Sequence, residues 1–155
     1  MKANLENELY WLAGIIDGEG SVMIEKQQQH YISYHQKITI SNTSNLIICC
    51  IKRILKKIGI TYYCLKCKSQ RKDGYKRVPC YDLQIHRVKE VLKLAVLLRD
   101  KLILKNQRIN LIIKFCQLRI NKRKKVSKNA FAGFDNREEN LFQKLRKLNK
   151  RGVIR

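Results

Sequence analysis

Proline is almost absent: Pro79 is the single one in 155 residues. With no proline-rich or low-complexity linker, no domain boundary is legible, and residues 1–155 are expected to form one domain. Long apolar runs are missing too. None approaches the roughly 20 residues needed to cross a bilayer, which argues against membrane insertion. The N-terminus carries Glu6 and Glu8 ahead of its apolar stretch, unlike a signal peptide. An intracellular, unsecreted protein is therefore expected, in an organelle (chloroplast or mitochondrion) or a prokaryotic cytoplasm. Acidic side chains are also scarce: 12 Asp plus Glu face 34 Lys plus Arg, for a net charge of +22 and a pI near 10.1. An excess of that size calls for a polyanionic partner, nucleic acid before a membrane surface.

With 45% hydrophobic residues the chain is large enough to bury a core without disulfides or a structural metal. Of the six cysteines, Cys64 and Cys67 have CxxC spacing, with Cys80 and His86 downstream. In a strand, however, residues three apart point to opposite faces, so this pair does not share a zinc ion. Reduced thiols in a reducing compartment are the expectation.

Periodicity then orders the elements. A helix spanning Leu9 to Ile16 is uncharged around its whole circumference, so one side faces its own core and the other needs a partner. Gly14 in its middle suggests close approach by another helix. Gly18 and Gly20 are expected to break the helix around Glu19. Val22 to Lys26 and Ile32 to Ser41 form a hairpin whose second arm alternates Ile32, Tyr34, Ile38, Ile40 with Ser33, His35, Lys37, Thr39. Ser44 or Asn45 caps a helix running to Ile58 and stopped by Gly59. A second hairpin spans Thr61 to Gln70 and Val78 to Ile85, followed by helices over Val88 to Leu98, Lys105 to Ile120 and Arg137 to Asn149.

This α-ββ-α-ββ-α order predicts an α+β fold, an antiparallel sheet with its helices on one face. The opposite face is then bare, polar and basic. A two-stranded ribbon fits the DNA major groove, and such a face offers donors and acceptors suited to base edges. The candidate DNA contacts are Gln27, Gln29, Tyr31, Ser33, His35, Lys37 and Thr39 from the first hairpin. The second hairpin contributes Lys66, Lys68, Gln70, Arg71, Arg77, Asp82 and Gln84.

The nine residues Leu12-Ala13-Gly14-Ile15-Ile16-Asp17-Gly18-Glu19-Gly20 end the apolar helix with two carboxylates at a glycine-rich turn, a setting of hard oxygen ligands of the kind Mg²⁺ takes. All nine resemble the motif of the LAGLIDADG homing endonucleases. That resemblance implies the same element order, a saddle-shaped sheet over double-stranded DNA, and motif helices packed together at the centre. It implies that Glu19, in the eighth motif position, binds the catalytic metal, Mg²⁺ or Mn²⁺, helped by the carbonyl of Gly18. The segment Leu104-Lys105-Asn106-Gln107-Arg108-Ile109-Asn110-Leu111 resembles the place where small members carry an active-site lysine, which maps to Lys105. A polar residue at the end of the second strand, Asn42 or Thr43, lies near the active site in such members.

Members with one motif act as homodimers, here with Leu12, Ala13, Gly14 and Asp17 at the subunit interface. The other candidate motif, Ala130 to Asn136, lacks the acidic eighth position. The resemblance thus implies a homodimeric, metal-dependent endonuclease, intron-encoded, that cuts both strands of a long, roughly palindromic DNA target. Its alternative is a non-cleaving relative: an RNA maturase for intron splicing or a DNA-binding regulator.

Overall fold

The computed structural model describes residues 2–28, 30–67, 79–125 and 135–150. Its elements run α1 (Lys2–Glu19), β1 (Gly20–Gln28), β2 (Ile32–Asn42), α2 (Asn45–Lys57), β3 (Tyr63–Cys67), β4 (Cys80–Ile85), α3 (Val88–Leu98), α4 (Asn106–Lys125) and α5 (Asn136–Asn149). The expected order is present, and the strands pair antiparallel as β1-β2-β4-β3. No helix among the described residues is long and apolar enough to cross a membrane.

Strand alternation sets the layers. Val22, Ile24, Tyr34, Ile38, Ile40, Leu83 and Ile85 share one face through the register Val22↔Ile38↔Ile85, and all are buried beneath the helices. Their neighbours on the other face, Ser21 to Gln27, Ser33 to Ser41 in alternation, and Asp82 and Gln84, stay partly or fully exposed. α2 closes on the core with Ile48, Ile51, Ile54 and Leu55, while α4 adds Ile109, Ile112, Phe115 and Cys116. Ser44 is the N-cap of α2, its Oγ accepting from the Ile47 amide at 3.4 Å. At the other end Gly59 turns with φ of 65°, a left-handed conformation that glycine enters at little cost.

α5 is attached by charge as much as by apolar contact. Glu139 accepts from Lys26 Nζ at 3.0 Å and from the Tyr34 hydroxyl, while the buried Glu138 lies 3.6 Å from Arg119 and 3.4 Å from Lys122. Removing one partner of such a buried set leaves an uncompensated charge.

Three expectations are corrected. The helix does not break at Gly18: α1 continues through it to Glu19, and the strand begins at Gly20. A Cβ at Gly18 would meet nothing within 4 Å, whereas one at Gly20 would sit 2.8 Å from the Ile16 carbonyl oxygen, so only Gly20 is sterically required where the chain turns from helix to strand. Second, Leu12 and Ala13 are 0% and 1% exposed within the chain's own core, which removes their side chains from any subunit interface. Third, the β3 register reverses the face expected of Lys66. Lys66 pairs with Tyr81 and Cys64 with Leu83, placing both on the helix side of the sheet, and Lys66 Nζ lies 5.7 Å from the Tyr81 ring centre. Tyr63 and Leu65 point to the open face instead, 52% and 42% exposed.

Candidate active site and nucleic-acid interface

A helix ends with backbone carbonyls that have no partner within it. At the end of α1 two of these, from Ile16 and Asp17, accept from Lys105 Nζ, the first at 2.7 Å. The Asp17 carboxylate reaches the other way. It accepts from the backbone amides of Ile103 at 2.7 Å, Leu104 at 3.2 Å and Lys105 at 2.9 Å, in the turn leading into α4. A cation thus sits at the negative end of α1 and an anion at the positive end of α4, each helix terminus satisfied by the other. Burial lowers the Lys105 ammonium below its ordinary pKa; the Asp17 charge opposes that shift and Arg108 adds to it. Asp17, expected at a dimer interface, is therefore engaged inside the chain.

Glu19 follows as the exposed last residue of α1. One of its carboxylate oxygens accepts from Asn42 Nδ2. Asn42 is the last residue of β2 and is buried, its Oδ1 accepting from the Ser44 amide at 2.7 Å. Of the two candidates at that strand end, Asn42 is the one directed at Glu19. Side chains 23 and 88 residues apart in sequence from α1 are so brought to a single helix end.

The donor set suits a hard cation. Glu19 supplies a carboxylate and Gly18 a carbonyl, both from exposed residues. Among the described residues no three His, Cys, Asp or Glu side chains cluster.

Of the expected contact residues that are described, the open sheet face carries most. Ser33, His35, Lys37 and Thr39 project from β2, Gln27 from β1, and Asp82 and Gln84 from β4, with Tyr31 exposed beside the β1–β2 turn. Gln29, Lys68, Gln70, Arg71 and Arg77 lie outside the described residues, as does 126–134 with most of the second motif candidate. Many of these polar groups are paired with one another. Ser41 Oγ donates to Asp82 at 2.8 Å, Gln84 Nε2 donates to the same carboxylate, Lys37 pairs with Glu25 at 3.2 Å, and Ser33 Oγ meets His35 Nε2 at 3.2 Å. Glu25, Ser41, Tyr63 and Leu65 were not among the expected residues. Only strand pairing places them on this face.

Residues 6–109, which hold the motif helix, the sheet, α2, α3 and Lys105, match the family model of the LAGLIDADG-like domain. The chain belongs to the LAGLIDADG-like domain family. An uncharacterized protein of Methanocaldococcus jannaschii, MJ0314, is 44% identical over 69 residues, 42% of this chain but only 24% of that longer protein.

Solved LAGLIDADG homing endonucleases share the fold along almost the whole chain. The endonuclease I-CvuI, in complex with its target in the presence of calcium, superposes with a TM-score of 0.57 at 17% identity, covering 94% of this chain and 96% of its own. The archaeal intron-encoded endonuclease I-Vdi141I, complexed with DNA, gives 0.59 at 16% identity over 92% and 97% of the two chains. The group I intron-encoded I-CeuI, also complexed with DNA, gives 0.62 at 14% identity over 91% and 67%. In this LAGLIDADG chain the motif therefore ends at a helix terminus where the end of a second strand and the turn into a fourth helix deliver Asn42 and Lys105.

Proposed function

We propose that this LAGLIDADG protein is a homodimeric, divalent-metal-dependent, site-specific DNA endonuclease, encoded within an intron. The observation that carries the reading is the meeting of Glu19, Asn42 and Lys105 at one helix end, bordering an open sheet face on a chain of net charge +22. Glu19 and the Gly18 carbonyl would hold Mg²⁺ or Mn²⁺, which when bound supplies Lewis-acid stabilisation of charge on a scissile phosphate and lowers the pKa of water. Asn42 would fix the Glu19 carboxylate by donating to one of its oxygens. Lys105, anchored by two carbonyls, presents a positive charge whose partial burial strengthens its field on a nearby phosphate.

One such carboxylate per chain suits two chains acting on two strands. The exposed side of α1 supports the pairing: Tyr10 is 53% exposed, Trp11 40%, and Gly14 has no atom within 4 Å of where a Cβ would stand. Ile103 and Leu104, 85% and 68% exposed, extend this apolar surface from the turn that Asp17 holds.

Wild-type protein and Glu19→Gln, each incubated with a randomised duplex library in Mg²⁺ or EDTA, test the proposal. Wild type should select and cut one long target in Mg²⁺ alone, while Glu19→Gln binds the same target uncut. Cutting by the variant at the wild-type rate rejects Glu19 as the ligand. Selective binding without cutting by the wild type in Mg²⁺ or Mn²⁺ identifies a maturase or DNA-binding regulator instead.

A further inference from the structure

The geometry points to Tyr63 and Leu65, on the outer strand β3, as readers of thymine C5-methyl groups in the major groove. This rests on the proposed role of the open sheet face in binding duplex DNA. Both side chains project from that face, 52% and 42% exposed, beside Gln84 and Asp82 respectively. The polar groups next to them are already committed: Asp82 accepts from both Ser41 and Gln84. Among the described residues at this edge Tyr63 and Leu65 present exposed apolar carbon, and the apolar substituent that a base pair offers in the major groove is the thymine methyl. Charge favours the same occupant, since the chain carries +22 and Tyr63 borders a recess lined by Thr61, Tyr62, His86 and Arg87.

The test starts from duplexes that the wild-type protein selects from a randomised pool, with binding measured in EDTA so that no strand is cut. Each thymine is then replaced singly by deoxyuridine, which removes the methyl group and nothing else. At one or more positions per half-site, binding should weaken about fourfold, the scale of burying one methyl-sized group. Tyr63→Ser and Leu65→Ser should each lose one of these sensitivities, whereas Tyr63→Phe and Leu65→Met retain them. Thermal melting identifies any variant that is merely unfolded, and the conservative pair then decides the outcome. Indifference to every uracil, or a selected target with no thymine requirement, overturns the inference while leaving duplex binding intact. Failure of the wild type to bind any duplex overturns both readings. Serine variants that change self-association but not methyl sensitivity would make this edge a protein contact and overturn it as well.

Discussion

Removing the Asp17 carboxylate should loosen the joint between the motif helix and α4. Asp17→Ala deletes the acceptor for the amides of Ile103, Leu104 and Lys105, at 2.7, 3.2 and 2.9 Å. A shielded hydrogen bond to a charged group contributes roughly 1.5–3 kcal/mol. Ile103 and Leu104 are 85% and 68% exposed, however, so their amides can turn to water and three full contributions do not add. The loss of a helix-capping side chain, about 0.5–2 kcal/mol, sets the better scale. With the attraction between Asp17 and the Lys105 ammonium included, the cost should be about 2 kcal/mol, or roughly 4–8 °C in Tm for a chain of this size. Asp17→Asn keeps one acceptor oxygen and should lose about half as much. Urea titrations should show a lower midpoint at unchanged slope, and cleavage by the proposed endonuclease should fall because the turn that carries Lys105 is held less firmly, although its ammonium keeps its two carbonyl partners. An Asp17→Ala protein that melts at the wild-type temperature would refute the clamp.

Gly20→Ala should destabilise by about 1–3 kcal/mol, because the new Cβ would stand 2.8 Å from the Ile16 oxygen and 2.9 Å from its Cα, both backbone atoms; an unchanged denaturation midpoint contradicts it. Gly14→Leu should leave the fold intact yet abolish self-association in sedimentation, since among the described residues nothing outside the helix's own backbone lies within 4 Å of that Cβ; a folded, unaltered dimer counts against the α1 interface. His35 titrates below its ordinary 6.5, chiefly through burial and then the Arg119 charge, with Glu25 pulling the other way. The unfolded chain takes up that proton first, so its contribution to stability falls as pH drops from 6.5 to the lowered folded value and then levels off. His35→Gln should remove that part of the pH dependence of Tm, and identical profiles would exclude it.

The order of elements was legible because local periodicity and capping agree with the final packing: Val88–Leu98 has the expected ends, and Ser44 and Gly59 bound α2 as anticipated. The motif resemblance singled out Lys105 and Glu19, with Asn42 as one of two candidates, and the three come together at one helix end. The clamp around Asp17 was not legible, since it joins backbone amides 86 to 88 residues away and amides leave no mark in a sequence. On β3 the pattern misled. Tyr63 and Leu65 are the larger apolar members of the alternation, yet Cys64 is the one packed against the core. An edge strand with few buried positions has its register set by the neighbouring β4 rather than by its own hydrophobicity.

The paired side chains of the open face would shape discrimination in the proposed DNA complex. Ser41 and Gln84 are satisfied by Asp82, and Lys37 by Glu25, so under the proposed DNA-binding function a base edge that engages these particular groups would be recognised by exchange. A matching base returns a hydrogen bond for each one broken, so the net gain in binding is small. A mismatched base breaks the internal bond and returns nothing, leaving two groups desolvated and unpaired. In the proposed complex with DNA such a surface would penalise wrong partners more than it rewards right ones, so its selectivity would exceed what its affinity alone suggests.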